Sequence, residues 1–283
     1  MNPKQATLCA HFHALHENGC FVIPNPWDVG SARWLRAKGF KALATTSAGF
    51  AFTQGRADQD VPLEMMLEHI GQMVRAVPDM PVNADFENGY ADDPEDMAHN
   101  VLRCIETGVA GLSIEDATGR AEQPLYEFGH ALERVIAARE AVDASGTGVV
   151  LTARAEGLLT HAPGGMADVA KRIEAFAAAG ADVLFAPGLK TQDDIRTIMA
   201  AAAGRPVNMV MFGALGMSVA DVAAIGVRRI STGAALARAA WAGFINATDA
   251  ILAEGDFSGF SANGATAQLN PFFQDDLKQR DKT

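Results

Sequence analysis

The sequence is short of the residues that would tie it to an oxidising compartment, a nucleic acid or a membrane. Its 283 residues hold three cysteines, Cys9, Cys20 and Cys104, an odd, widely spaced set with neither metal-ligand nor redox spacing. That argues against a disulfide framework and fits a reducing cytoplasm. No run approaches the roughly 20 apolar residues needed to span a bilayer. The start, MNPKQATLCAHFHALHENG, reads as polar and helical, so no leader and no membrane partner are expected. A basic face is also missing. Lys and Arg number 23 against 34 Asp and Glu, a net charge of −11, which excludes nucleic acid as an expected partner because phosphate binding draws on clustered cations. No GxGxxG follows the first apolar run, which removes the main signature of a dinucleotide fold.

What the sequence does have is rhythm. Apolar residues make up 49% of it, and short apolar runs alternate with amphipathic helical patterns. Strands are predicted at Cys20–Asn25, Ala42–Ser47, Pro81–Glu87, Ala110–Asp116, Val149–Glu156, Asp182–Gly188, Pro206–Phe212 and Arg228–Gly233. Helices are predicted near 29–39, 62–77, 94–108, 131–145, 166–180, 191–204, 218–226 and 234–254. Met97, Val101, Cys104 and Ile105 share one helical face, as do Val169, Ile173 and Phe176. Asp93-Pro94, Thr191 and Ser218 are helix starts, and helices stop at Gly39, Gly108, Gly180, Gly204 and Gly226. Eight strand–helix units of this kind call for parallel strands. Their number and the chain length favour one α/β domain, a (β/α)8 TIM-type barrel over residues 1–283 with a helical extension from about 234 to 283.

In such a barrel the C-terminal strand ends form the active site, so acids placed late in strands call for a reason. The third strand reads PVNADFE, and period two puts Asn83, Asp85 and Glu87 on one face. The fourth ends in Glu115 and Asp116, and the fifth puts Thr152, Arg154 and Glu156 on one face. Converging carboxylates repel one another, and a hard cation such as Mg²⁺ relieves that repulsion through oxygen ligands. Arg154 suits a clamp on a substrate carboxylate. Asp116 and Glu156 equally suit local ion pairs.

In this order NPWDVGSARWLRAKGFKALATTSAG, GRADQDVP, NADFENGYADDPEDM, GVAGLSIEDATG, LTARAEG and AAGADVLFAPG resemble the isocitrate lyase/phosphoenolpyruvate mutase superfamily over residues 20–240. The resemblance implies a Mg²⁺-dependent enzyme (Mn²⁺ as the alternative) that makes or breaks a C–C or P–C bond beside the carbonyl of a small 2-oxo or 2-hydroxy acid, through an enolate. It implies that Asp85 is the direct metal ligand, that Glu115 holds metal-bound water, and that Glu87 assists. Thr46, Ser47 and Ala48 would hold the substrate carboxylate, Arg154 its other charged end, and Asp58, on a mobile loop, would orient the reacting group. It further implies a homo-oligomer, dimer or tetramer, whose last helix swaps between subunits; Trp241 and Phe244 suit that helix.

Two departures narrow the substrate. Asn83 stands where the family often has a first acid, and the loop ATGRAEQPLYEFG after strand four lacks the family's Lys-Lys-Cys-Gly-His motif. Isocitrate-type cleavage is therefore not expected. Two other readings stay open: a barrel that binds 2-oxo acids without turnover, and a metal-dependent aldolase. His11, His13 and His16 read as surface residues, Cys104, Met66, Met73 and Trp34 as core, and His130 and His161 as loop residues near the mouth.

Overall fold

In a computed structural model, residues 3–280 are described, and they contain the expected eight parallel strands. Helix α1 (Pro3–Glu17) leads into β1 (Phe21–Ile23), α2 (Val29–Ala37), β2 (Leu43–Ala44), α3 (Ser47–Thr53), α4 (Leu63–Ala76) and β3 (Val82–Asp85). There follow α5 (Pro94–Glu106), β4 (Gly111–Glu115), a hairpin of β5 (Ala117–Arg120) and β6 (Gln123–Leu125), α6 (Phe128–Ser145) and β7 (Val150–Arg154). The remaining units are α7 (Gly165–Ala178), β8 (Val183–Phe185), α8 (Gln192–Ala201), β9 (Val207–Val210), α9 (Val219–Ile225) and β10 (Arg229–Ser231). Helix α10 (Ala235–Glu254), a 3₁₀ segment (Ser258–Gln268) and α11 (Leu269–Arg280) end the described chain.

The strands run in the order β1-β10-β9-β8-β7-β4-β3-β2. The seam between β1 and β2 is bridged where Ala44 N–H donates to the Pro24 carbonyl at 3.1 Å and Asn25 Nδ2 donates to the Thr45 carbonyl at 2.7 Å. The result is a nearly closed TIM-type barrel. The chain divides into two compact units between Ala235 and Leu236.

Local chemistry explains the helix bounds. Asp93 caps α5 by accepting from Glu95 N and Asp96 N, with Pro94 at the first helical position. Thr191 with Asp194, and Ser218 with Asp221, form capping boxes on α8 and α9. At Gly226 the backbone turns left-handed, φ +108°, which ends α9 at little steric cost. The apolar stripe of α5 (Met97, Val101, Cys104 and Ile105) is buried against the sheet, each side chain worth roughly 1.5–3 kcal/mol.

Four readings of the sequence change. Strand β3 stops at Asp85, and Glu87 follows in a left-handed turn (φ +47°), so period two does not place it. The loop after β2 contains α3, and the loop after β4 contains the hairpin. His16 is not a surface residue: it is 6% exposed, and its Nδ1 lies 2.7 Å from the Phe12 carbonyl. The reason is that α1 covers the N-terminal strand ends. Phe12 sits where Gly111 leaves room, its Cε1 2.6 Å from the position of an added Cβ, and Gln5 donates to the Ile105 and Val109 carbonyls.

Candidate active site

Parallel pairing sets the frame. Asp85 is the last residue of β3, Glu115 of β4 and Arg154 of β7, and Glu115 is in register with Arg154. Their side chains meet at the C-terminal mouth around a cavity of about 200 Å³, lined by Ser47, Asp58, Glu87, Glu115, Arg154 and Glu156 among others. Arg154 is the hub. Its Nη1 lies 3.3 Å from Asp85 Oδ1 and 3.1 Å from Glu115 Oε2, and its Nε donates to Glu156 Oε1. Its guanidinium also stacks over Phe185 at 5.2 Å.

Asp85 does not line the cavity but is bonded to residues that do. Ser47 N–H and Ser47 Oγ both donate to Asp85 Oδ2 at 3.0 Å. The turn after β2, expected to hold a substrate carboxylate, here grips the carboxylate of Asp85 through Ser47. Thr46 instead caps α3, accepting from Gly49 N at 3.2 Å, and Ala48 is buried. Asp58 reaches in from an exposed loop to 3.4 Å from Ser47 Oγ. Gln59, which the sequence did not single out, donates to Glu115 Oε1 at 3.3 Å.

Five carboxylates thus surround one guanidinium, and their electrostatics show the strain. Burial, then the charges of Asp85 and Asp58, push the Glu87 carboxyl up to about 8. Glu115 is raised by burial although Arg154 opposes the shift, and Glu156 is raised the same way. Asp58 is raised by desolvation of its inward-facing carboxyl and by Asp85. Burial works against the charge on Arg154, but Glu156, Glu115 and Asp85 more than offset it and hold the guanidinium protonated. Glu87 Oε1 is buried with no hydrogen-bond partner. The Tyr90 hydroxyl, also buried, lies beside it, and a buried carboxyl so placed either keeps its proton or is joined by a cation.

The donor set fits a hard divalent ion of low carboxylate demand. Among the described residues no three His, Cys, Asp or Glu side chains are gathered closely enough to cage a metal. Mg²⁺ typically needs only one or two protein carboxylates and keeps several waters. Asp85, with Glu115 or Glu87 beside it, would supply these.

Asp116 has a different task. Its Oδ1 accepts from Glu156 N–H at 2.7 Å, and its Oδ2 pairs with Arg172 at 3.1 Å. Burial raises it to about 6, against the pull of that N–H and of Arg172. This local pair positions the turn after β7. The signal for it was present in the sequence, since Arg172 lies on the otherwise apolar stripe of Val169, Ile173 and Phe176. The hairpin is anchored by Tyr126, whose hydroxyl donates to Asp92 at 2.5 Å and accepts from Asn88 at 3.1 Å. His130 is tied to the Asp92 carbonyl at 2.9 Å, and neither it nor His161 lines the cavity.

The sequence and fold have clear relatives. The family model described as phosphoenolpyruvate phosphomutase matches residues 12–252. The crystal structure of a provisionally assigned lyase/mutase from Burkholderia cenocepacia J2315 is 43% identical, covers 96% of this chain and 98% of its own, and superposes with a TM-score of 0.90. The structure of oxaloacetate acetylhydrolase with the product oxalate is 25% identical over 99% of this chain and 98% of its own, with a TM-score of 0.84. Phosphoenolpyruvate phosphomutase of Streptomyces hygroscopicus is 30% identical over 223 residues, 76% of this chain and 70% of that protein. With its barrel, its mouth of strand-end acids and these matches together, the chain belongs to the phosphoenolpyruvate phosphomutase family of the isocitrate lyase/phosphoenolpyruvate mutase superfamily, and it is an enzyme of the lyase and mutase kind that acts on C–C or P–C bonds.

Proposed function

We propose that this enzyme is a Mg²⁺-dependent lyase or hydrolase/decarboxylase, with Mn²⁺ able to substitute. It cleaves the bond next to the carbonyl of a small 2-oxo or 2-hydroxy carboxylic acid and leaves an enolate. The observation that carries this reading is the convergence of Asp85, Glu115 and Glu156 on Arg154, with the carboxyls of Asp58 and Glu87 lining the same cavity. Asp85 would hold the ion directly and Glu115 through a bound water, with Glu87 assisting. When bound, it supplies Lewis-acid stabilisation of negative charge.

The chain's own groups do the rest. Ser47 N–H and Oγ, already spaced to grip a carboxylate oxygen, are donors suited to the substrate carboxylate or to the developing enolate oxygen. Arg154, held protonated, fixes the substrate's second charged group and so turns binding into orientation. Asp58, raised by its surroundings and carried on a loop, holds or moves a proton at the reacting carbon or at a water. Thr46 caps α3 and Ala48 is buried in the same turn.

We also read the chain as a cytoplasmic homo-oligomer, a dimer or tetramer. Helix α10 leaves Phe244 58% and Ile245 48% exposed, an apolar face that association would cover. Among the described residues no helix is long and apolar enough to cross a membrane. The test of function is product analysis over oxaloacetate, phosphonopyruvate and alkylated malates, with and without Mg²⁺. Turnover that needs Mg²⁺ is expected, and metal-independent turnover would overturn the reading.

A further inference from the structure

The acidic cavity takes up one side of the mouth only. Beside it lies a second cavity of about 290 Å³ walled by Leu158, Leu159, Leu189, Val210, Phe212 and Leu215. Leu159 is common to both, so the two cavities adjoin. The second is built at the ends of β7, β8 and β9, consecutive neighbours in the sheet, the first of which carries Arg154. His161 and Lys190 are the only polar side chains in its lining. Leu159 is 41% and Phe212 44% exposed, although both are large and apolar. Uncovered apolar side chains converging beside a polar cavity are the usual make-up of a ligand pocket.

The backbone is arranged to hold this wall. Gly188 lies at φ +98°, and a Cβ there would meet Leu158 Cβ at 2.9 Å and the Leu159 backbone at 3.3 Å. Glycine thus lets the loop after β8 press against the loop after β7. Gly233 does the same for Phe212, whose Cε1 lies 2.7 Å from where a Cβ would sit.

We propose that the substrate carries, beyond its carboxylate and C2 oxygen, an apolar substituent larger than methyl on C3, seated in this second cavity. The substrate class is then a 3-alkyl or 3-aryl 2-oxo or 2-hydroxy acid. The inference rests on the function proposed above and deepens it. With the charged head held at Ser47 and Arg154, the rest of the molecule passes Leu159 into an apolar chamber. Water there finds few partners. The chamber is several times the roughly 30 Å³ share of one water, so a lone methyl leaves most of it unfilled. A second charged arm would be desolvated against leucine.

Two measurements test this. Binding of pyruvate, 2-oxopentanoate and 2-oxooctanoate is followed by calorimetry in the presence of Mg²⁺, and turnover is compared between malate or oxaloacetate and their 3-propyl and 3-benzyl derivatives. Burying one methylene in an apolar pocket is worth roughly fourfold in affinity, and two or more methylenes are added at each step of the series. Kd should therefore fall at least about tenfold along the binding series, and kcat/KM should rise by a similar factor with the propyl group. In Phe212→Ser and Leu215→Ser both ratios should move towards one. Affinity that is flat along the series, or a chain-length gain that survives both substitutions, overturns the inference whether or not any compound turns over. Chain-length-dependent binding that the substitutions abolish, with no turnover of any compound, supports the pocket and overturns the proposed function instead.

Discussion

The two ends of this barrel carry opposite charge imbalances and handle them in opposite ways. At the C-terminal mouth five carboxylates crowd one arginine, and Glu87 Oε1 is left without a partner beside an open cavity. At the N-terminal end, Arg229 is 3% exposed and bonds only neutral groups: Asn208 Oδ1 at 2.8 Å, Thr152 Oγ1 at 3.0 Å and His16 Nε2 at 3.5 Å. Burial lowers Arg229 to about 9 and His16 to about 3. Helix α1 covers this end, and its cost is met by fixed hydrogen bonds. The mouth has no such set of bonds, and its carboxyls outnumber the one guanidinium among them. A buried polar cluster that is fully bonded serves structure, while one left short of partners marks a site.

Four experiments test that contrast. The largest effect is expected for Asp85→Asn. On the proposed function this removes a hard anionic ligand and several kcal/mol of charge stabilisation, so activity should fall by roughly a thousandfold or more. Mg²⁺ binding measured by calorimetry should vanish while the melting temperature shifts by only a few degrees. Unchanged activity in this variant would make the acid cluster structural, and the contrast would collapse.

The next largest concerns substrate choice at the mouth. Isocitrate cleavage leaves a carbanion that needs a positioned acid, and such help is worth roughly two to four powers of ten. The hairpin offers Arg120, Glu122, Tyr126 and Glu127 but no thiol, and Tyr126 is raised to about 12, by burial and then by its bond to Asp92. Isocitrate and 2-methylisocitrate should thus turn over at least about a hundredfold more slowly than an oxaloacetate-like substrate. Isocitrate turnover near 10 per second, an ordinary enzyme rate, would sink this expectation.

At the other end the signs reverse. Arg229→Ala leaves a cavity and strips the bonds from Asn208 and Thr152, and relief of the buried charge offsets part of the loss, so the net cost should be roughly 2–4 kcal/mol. At roughly 2–4 °C per kcal/mol for a chain of this size, calorimetric melting should drop by about 10 °C, with kcat within a few-fold of wild type. A variant that melts normally but loses activity would move Arg229 into the catalytic apparatus.

The smallest effect is on pH dependence. The folded-state pKa of His16 lies below its unfolded value of 6.5, so the unfolded chain binds the extra proton. The stability His16 confers is fully present above about 6.5 and is lost as pH falls below it towards 3. Protonation also removes the acceptor for Arg229 and sets two cations side by side. Melting temperature should therefore fall from pH 7 to pH 5, and less steeply in His16→Gln, which keeps an acceptor. Identical slopes in the two proteins would show that His16 titrates normally.

Much of this could be read along the chain because the signals are local. Caps at Asp93, Thr191 and Ser218, the α5 stripe and the strand-end positions of Asp85, Glu115 and Arg154 each follow from a few neighbouring residues. The misplacements share one cause. Glu87 enters the cavity through a left-handed turn rather than along a strand, and Gln59 reaches Glu115 across 56 positions of sequence. His16 looked like one of three surface histidines because its partner, Arg229, lies 213 residues away.

The sequence by itself determined eight strand–helix units, the mouth to which their late acids belong, and the chemistry that oxygen ligands and an arginine can support there. Periodicity, capping and residue type are properties of short segments, and parallel pairing turns them into a shared end. Only the tertiary structure decided that Ser47 grips Asp85, that Asp116 pairs with Arg172 away from the cavity, that α1 buries His16 against Arg229 at the opposite end, and that an apolar chamber adjoins the acidic one. Each of these is a meeting of groups from different strands or loops, set by barrel closure and by which side chains find partners once water is excluded.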